Sequence, residues 1–199
     1  MNIFFVDIDP GKAAQSLCDR HVNKMITESC QMLSACLWHY DIEAPYKKVH
    51  YNHCSTRWVR ASSHNYYWLL SHLEALILEF DYRRKCSDKH QRAKEALLQY
   101  QNFDVSILPS TKLTPGPLAF SSPWPNINHQ LQTVLKPHYG LLNVQDKTYY
   151  PETFTSLVGA YRHYYNLKYF EDKKYPEWNW SPERKPHWYQ TNYDLHLRK

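Results

Sequence analysis

Four polar residues, His21, Lys24, Glu28 and Gln31, recur at steps of three, four and three along one stretch of the chain. A seven-residue step closes almost two helical turns, so His21 and Glu28 share a face about 10 Å apart along the axis. Asp19 and Arg20 stand just before them. A carboxylate, an imidazole, an ammonium and an amide on one line can surround a substrate atom. Glu28 could stabilise developing positive charge or act as a base. Lys24 could keep that carboxylate ionised, or serve as a nucleophile. The same spacing also describes a solvated helix face carrying an ordinary i,i+4 pair, and the residue pattern leaves both readings open.

A second cluster runs from His50 to Trp68, HYNHCSTRWVRASSHNYYW. Arg57, Arg60 and His64 are three and four apart, which on one helix gives them a common face for phosphates, and Asn65 beside them could bond a base edge. The alternative turns the rings of Trp58, Tyr66, Tyr67 and Trp68 to a core and the arginines to water. His50, His53 and Cys54 have metal-ligand chemistry but lack a convincing fourth ligand, so no metal and no cofactor is expected. A third cluster closes the chain: Tyr175 to Trp180 (YPEWNW) and Lys185-Pro186-His187-Trp188-Tyr189. Flat rings on a proline-stiffened segment beside Lys185 could stack on nucleic acid, or strap the helices; the two are compatible.

These clusters need elements to position them. Asn2 to Ile8 reads as a short strand or an extended buried segment, and Asp9-Pro10-Gly11 as a turn that starts a helix. From Lys12 to about Tyr40 there is no Pro or Gly, and Ala14, Cys18, Val22, Met25, Ile26, Met32, Leu33, Cys36 and Leu37 recur at helical spacing. That spacing predicts one long helix. A second long helix is predicted from about Ser55 to Arg84, on the stripe Val59, Tyr66, Leu69, Leu70, Leu73, Leu76, Ile77 and Phe80. A shorter one fits Lys89 to Tyr100. Leu108 to Pro125 holds five prolines and reads as an irregular loop. Glu152 to Phe170 reads as the last helix, with Pro151 at its first position. The expected fold is mainly α: a helical domain over 1–170, built of two long and several shorter helices, and an aromatic, basic tail over 171–199 packed on it.

Composition narrows the classes. Hydrophobic residues make up 43% and charged residues 22%, which suits a packed core rather than disorder. No apolar run approaches the roughly 20 residues that cross a bilayer. Met1 to Pro10 carries Asp7 and Asp9 and no basic start, so a secretory signal is not expected and the cytoplasm is the expected compartment. Five cysteines without a Cys-x-x-Cys argue against a disulfide framework or a four-cysteine zinc site. Only 4 Gly residues stand in the chain and no Gly-rich phosphate loop is among them. Against that, 17 Tyr and 7 Trp accompany a net charge of +5, a surface suited to bases and phosphates.

The segment Leu17-Cys18-Asp19-Arg20-His21-Val22 followed by Glu28 resembles the first helix of the pyrimidine-dimer DNA glycosylase family, the endonuclease V type first known from bacteriophage. That family carries Asp-x-His and a catalytic Glu seven residues after the His, and His21 and Glu28 match the spacing. His53-Cys54-Ser55-Thr56-Arg57-Trp58, then Leu76, Glu79, Arg83 and His90, is loosely similar to a later family pattern. Lys185 to Tyr189 is similar to the aromatic tail that approaches DNA. Phage proteins with a Cys-Asp-Lys-His-Val helix are similar over most of the chain, and a phage-encoded protein would work in the host cytoplasm. The resemblance implies an all-α fold, DNA as substrate, and base excision through a flipped nucleotide, with Glu28 as the catalytic carboxylate and His21 as a DNA or pocket contact.

Departures from the family are visible. Its bifunctional members attack the sugar with an α-amine freed by removing Met before a small residue. Here Asn2 follows Met1, so Met1 is expected to stay, and Lys24 is a possible substitute amine. Thr27 and Gln31 stand where the family flanks its Glu with basic residues. The expected function is therefore a DNA glycosylase-like hydrolase for a pyrimidine lesion or modified base. Its catalytic set is Glu28, His21 and Lys24; its DNA contacts are Arg57, Arg60, His64, Asn65, Lys185, Trp188 and Tyr189. Its partner is double-stranded, damaged or modified DNA, with no membrane. The alternative is a non-catalytic phage-type DNA- or protein-binding module.

Overall fold

The computed structural model describes residues 1–119, 141–143, 148–172 and 176–190. Six α-helices, α1 Pro10–Ser16, α2 Asp19–His39, α3 Cys54–Arg60, α4 Ser63–Arg84, α5 Gln91–Gln101 and α6 Phe154–Asp172, carry the described fold. A small antiparallel hairpin, β1 Leu141–Asn143 with β2 Thr148–Tyr150, precedes α6. The protein is mainly α, as its periodicity predicts. Among the described residues, no helix is long and apolar enough to cross a membrane.

The apolar stripes point inward. Every residue of the two stripes read from sequence, from Ala14 to Leu37 and from Val59 to Phe80, is buried. α2 and α4 pack as the central pair, with α1 and α3 laid against them. Residues Ile3 to Val6 are buried in this core without forming a strand, with Phe5 edge-on to Trp58 and tilted against Trp68. Gly116 lies so close to that ring that a Cβ would meet Phe5 at 2.3 Å, which fixes the loop after Pro109 over the buried segment.

Both predicted long helices are broken, and the breaks have physical causes. Leu17 and Cys18 are extended between α1 and α2, and the Cys18 amide donates to the Tyr165 hydroxyl on α6 (2.8 Å). At the second break Ser62 is an N-cap: its backbone is extended and its hydroxyl accepts from the His64 amide (3.1 Å). Arg57 and Arg60 therefore sit on α3 and His64 on α4, so the three do not share one helix face. The last helix starts at Phe154 rather than at Pro151, with the Thr153 hydroxyl accepting from Ser156 (3.1 Å) as its cap.

One buried ion network ties these pieces to the tail. Arg83, with a side chain 0% exposed, donates to Glu79 (2.7 Å), Asp19 (3.0 Å), the Leu17 carbonyl (2.9 Å) and the Gln15 carbonyl (2.9 Å). Arg184 reaches the same Glu79 oxygen at 3.0 Å. Asp19 also accepts from the Trp180 amide (2.8 Å), and its own amide donates to the Glu177 carbonyl (2.9 Å). The segment from Pro176 to Gln190 is thereby strapped across the start of α2. Pro123, Pro125, Tyr175 and the residues after Gln190 lie outside the described residues.

Candidate functional site

Glu28 lies seven residues after His21 on one uninterrupted helix, so the predicted register survives the break before Asp19. Its side chain is 12% exposed and is met by three nitrogen groups. Asn2 donates its main-chain N–H to Oε2 (2.8 Å), the Met1 amino nitrogen lies 4.0 Å from the same oxygen, and Lys24 Nζ lies 3.2 Å from Oε1. The chain start is held in this position by its own partners. The Thr56 hydroxyl on α3 donates to Met1 Sδ (3.4 Å), and the Tyr161 hydroxyl on α6 lies 2.8 Å from Asn2 Oδ1. Lys24 is the exposed member of the set, with its side chain 58% exposed.

His21 is placed differently. It is 4% exposed, stacked on Phe4 with ring centroids 4.3 Å apart, and its Nδ1 lies 2.7 Å from the Tyr165 hydroxyl. That hydroxyl is the one that holds Cys18 at the helix break. His21 thus faces the aromatic interior of α6 while Glu28 faces the chain start. The imidazole is a buried support of the helix on which Glu28 rides, not a solvated contact.

His53 caps α3, its Nδ1 accepting from the Ser55 amide (3.2 Å). Desolvation pushes the His53 imidazole below its ordinary pKa. The Met1 amine and His50 push the same way, and Glu28 pulls against them. His53 and Thr56 therefore belong to the surroundings of Glu28. In the sequence His53 stands out as a metal-ligand type and through the family-like segment it opens, neither of which places it beside Glu28; the pairing of Asn2 with a side chain 26 positions away has no local signal.

The expected DNA contacts differ in exposure. His64 and Lys185 are exposed and Arg57 is half-buried. Arg60 donates to the Tyr51 carbonyl (2.7 Å) and stacks on the Tyr51 ring at 4.2 Å. Asn65, expected at a base edge, is fully buried. Its Nδ2 donates to the Trp58 carbonyl (2.9 Å) and its Oδ1 accepts from the Thr114 amide (3.0 Å), which spends the amide on clamping a loop. In the tail, Tyr189 is 6% exposed and packs on Trp178 at 4.7 Å, so it serves as a strap residue. Trp188 is half-buried between the Arg162 guanidinium (5.4 Å) and the edge of Tyr165 (5.9 Å). Trp188, Tyr165, His21 and Phe4 form a continuous run of rings from the tail to the chain start.

Among the described residues, no group of three or more His, Cys, Asp or Glu side chains is arranged to hold a metal ion. A family model described as pyrimidine dimer DNA glycosylase matches residues 1–94. The matched part contains α1 to α4, the chain start, His21, Lys24 and Glu28, and ends before α5 is complete. No curated protein matches the chain, and no solved structure does.

Proposed function

We propose that the protein is a DNA base-excision enzyme of glycosylase type, with Glu28 as its catalytic carboxylate. The observation that carries this reading is the setting of Glu28: a largely desolvated carboxylate, 12% exposed, flanked by the Met1 amine and by Lys24, within the stretch that resembles the pyrimidine dimer DNA glycosylases. Loss of a base builds positive charge on the sugar. A carboxylate held in a low-dielectric setting stabilises that charge and can align the attacking group.

Two amines stand at that carboxylate, Met1 at 4.0 Å and Lys24 at 3.2 Å. A neutral amine that attacks C1′ would replace the base and leave an imine after ring opening; a water would leave a plain abasic site. The target nucleotide must leave its stack to reach them. His21 acts as a positioning residue through Phe4 and Tyr165. Arg57, His64 and Lys185 hold phosphates, Trp188 offers a ring face, and Arg60, Asn65 and Tyr189 keep the surrounding loops and strap in place.

The test is a screen of duplexes carrying pyrimidine dimers or modified pyrimidines, read as alkali-labile sites, with borohydride present in a parallel arm. Sites formed by the wild type and not by Glu28→Gln support the reading. A borohydride-trapped adduct mapped to Met1 or Lys24 identifies the amine. If Glu28→Gln forms sites at the wild-type rate, Glu28 is only a clamp for the chain start. If no duplex in the screen is cut yet all are bound, the binding-module alternative holds.

A further inference from the structure

A cavity of about 400 Å³ lies on the other flank of α2, between the α4–α5 turn and the C-terminal strap. Asn23, at its edge, precedes Glu28 by five residues, about 7 to 8 Å along the axis and on the opposite side of the exposed ridge. The cavity falls within the size range of small-ligand sites. Its walls are of two kinds. Phe80 and Trp180 are apolar rings set edge to face, with centroids 6.0 Å apart. Arg84 and Lys89 are cations, both exposed, and the Arg84 guanidinium lies over the Trp180 ring at 4.5 Å. His90 and Asn23 supply polar edges, with His90 Nε2 and Asn23 Oδ1 2.9 Å apart. Among the described residues that line the cavity there is no carboxylate. Asp81, whose charge acts on the His90 imidazole, is tied to Lys94 at 2.6 Å.

Flat rings beside two cations, with no carboxylate among the described lining residues, select a planar ligand that carries negative charge. The geometry points to a site for a nucleotide bearing a phosphate monoester, either free or at the 5′ end of a strand. The base lies against Trp180 and Phe80, and the phosphate on Arg84 and Lys89. A monoester carries between one and two negative charges near neutral pH, whereas a strand-internal diester carries one, so a two-cation lining favours the end group. This site is separate from Glu28 and does not depend on base excision.

The chain carries its own reporter. Of five cysteines, four are buried and Cys86 is not, and Cys86 lines this cavity. The experiment uses the full chain and three probes: a deoxynucleoside 5′-monophosphate, the parent deoxynucleoside, and inorganic phosphate. Calorimetric titration reads affinity, and mass spectrometry reads Cys86 alkylation by iodoacetamide. The expected result is that the monophosphate binds about tenfold or more tighter than either fragment and slows Cys86 alkylation. Arg84→Gln or Lys89→Gln should each weaken it about tenfold, and Trp180→Leu should weaken the monophosphate without changing the affinity for phosphate.

Short strands with and without a 5′-phosphate identify the source: a phosphorylated strand that outcompetes the free nucleotide names a strand end, and the reverse names the free nucleotide. Equal binding of nucleoside and monophosphate, phosphate binding as tight as the monophosphate, or Cys86 alkylation unchanged at saturation would each overturn the proposal. Neither damaged DNA nor Glu28 enters these measurements, so the excision reading can fail while this one stands, and the reverse.

Discussion

Replacing Arg83 by Met should destabilise the protein at the α2–α4–strap junction. The guanidinium is fully buried and makes four hydrogen bonds, to two carboxylates and two carbonyls. Met fills most of the volume, so the loss is chiefly electrostatic. It leaves Asp19 and Glu79, with side chains 9% and 4% exposed, without their main counter-ion. Breaking a buried pair by removing one partner costs about 3 to 5 kcal/mol. Arg184, at 3.0 Å from Glu79, offsets part of this on one side only. A chain of 199 residues shifts its Tm by about 2 to 4 °C per kcal/mol, which gives a fall of about 10 °C. Thermal melts at neutral pH and denaturant titrations read it. The triple variant Arg83→Met/Asp19→Asn/Glu79→Gln removes the stranded charges and should recover much of the loss. A single Arg83→Met variant within about 1 kcal/mol of wild type, or a triple variant no better than the single, would refute the network as the element that fixes strap to helix.

Three further outcomes follow from the same structure. His72 is buried, stacked on Trp68, and donates from Nδ1 to the Pro10 carbonyl (2.8 Å), and desolvation lowers its pKa to about 4. Its unfolded form takes a proton first as pH falls, so stability should drop between pH about 6.5 and about 4, by about 3 kcal/mol in all, and His72→Asn should flatten that limb of the denaturation curve. Tyr165→Phe removes the hydroxyl shared by Cys18 and His21; denaturant titration should show a loss of about 1 to 3 kcal/mol, and excision should slow with it because α2 loses its anchor. DNA affinity should fall steeply with salt, and Lys185→Ala should reduce the slope of log K against log salt by about 0.9, the value for one phosphate contact.

Much of this molecule was legible as pattern. The stripes of α2 and α4 and the His21–Glu28 register follow from spacing, whereas the proline-stiffened aromatic tail leaves strapping and stacking equally open. The helix breaks were not legible, because neither contains Pro or Gly. One depends on a Tyr165 hydroxyl 147 positions away, the other on a serine whose capping hydroxyl also reaches the Thr111 carbonyl (2.8 Å). The three-residue strands of the hairpin are too short to carry a period. Asn65 shows the same limit as the breaks: a polar residue beside Arg and aromatic side chains carries no local sign that its amide holds Thr114. Glu79 and Arg83 stood out only through resemblance, and the structure gives them a physical role as a buried pair (2.7 Å) rather than a chemical one. The contact of the chain start with Glu28 is not legible, because spacing carries no trace of a contact between residues 2 and 28.

The most direct measurement is single-turnover excision on whichever lesion duplex the wild type cuts, run with Glu28→Gln and paired with the DNA affinity of each. Gln keeps an acceptor for the Asn2 amide and so preserves the fold. If the carboxylate does the chemistry, the rate falls by about 10²- to 10³-fold while binding stays within a few-fold. Equal rates, or a loss that tracks binding alone, would contradict the account.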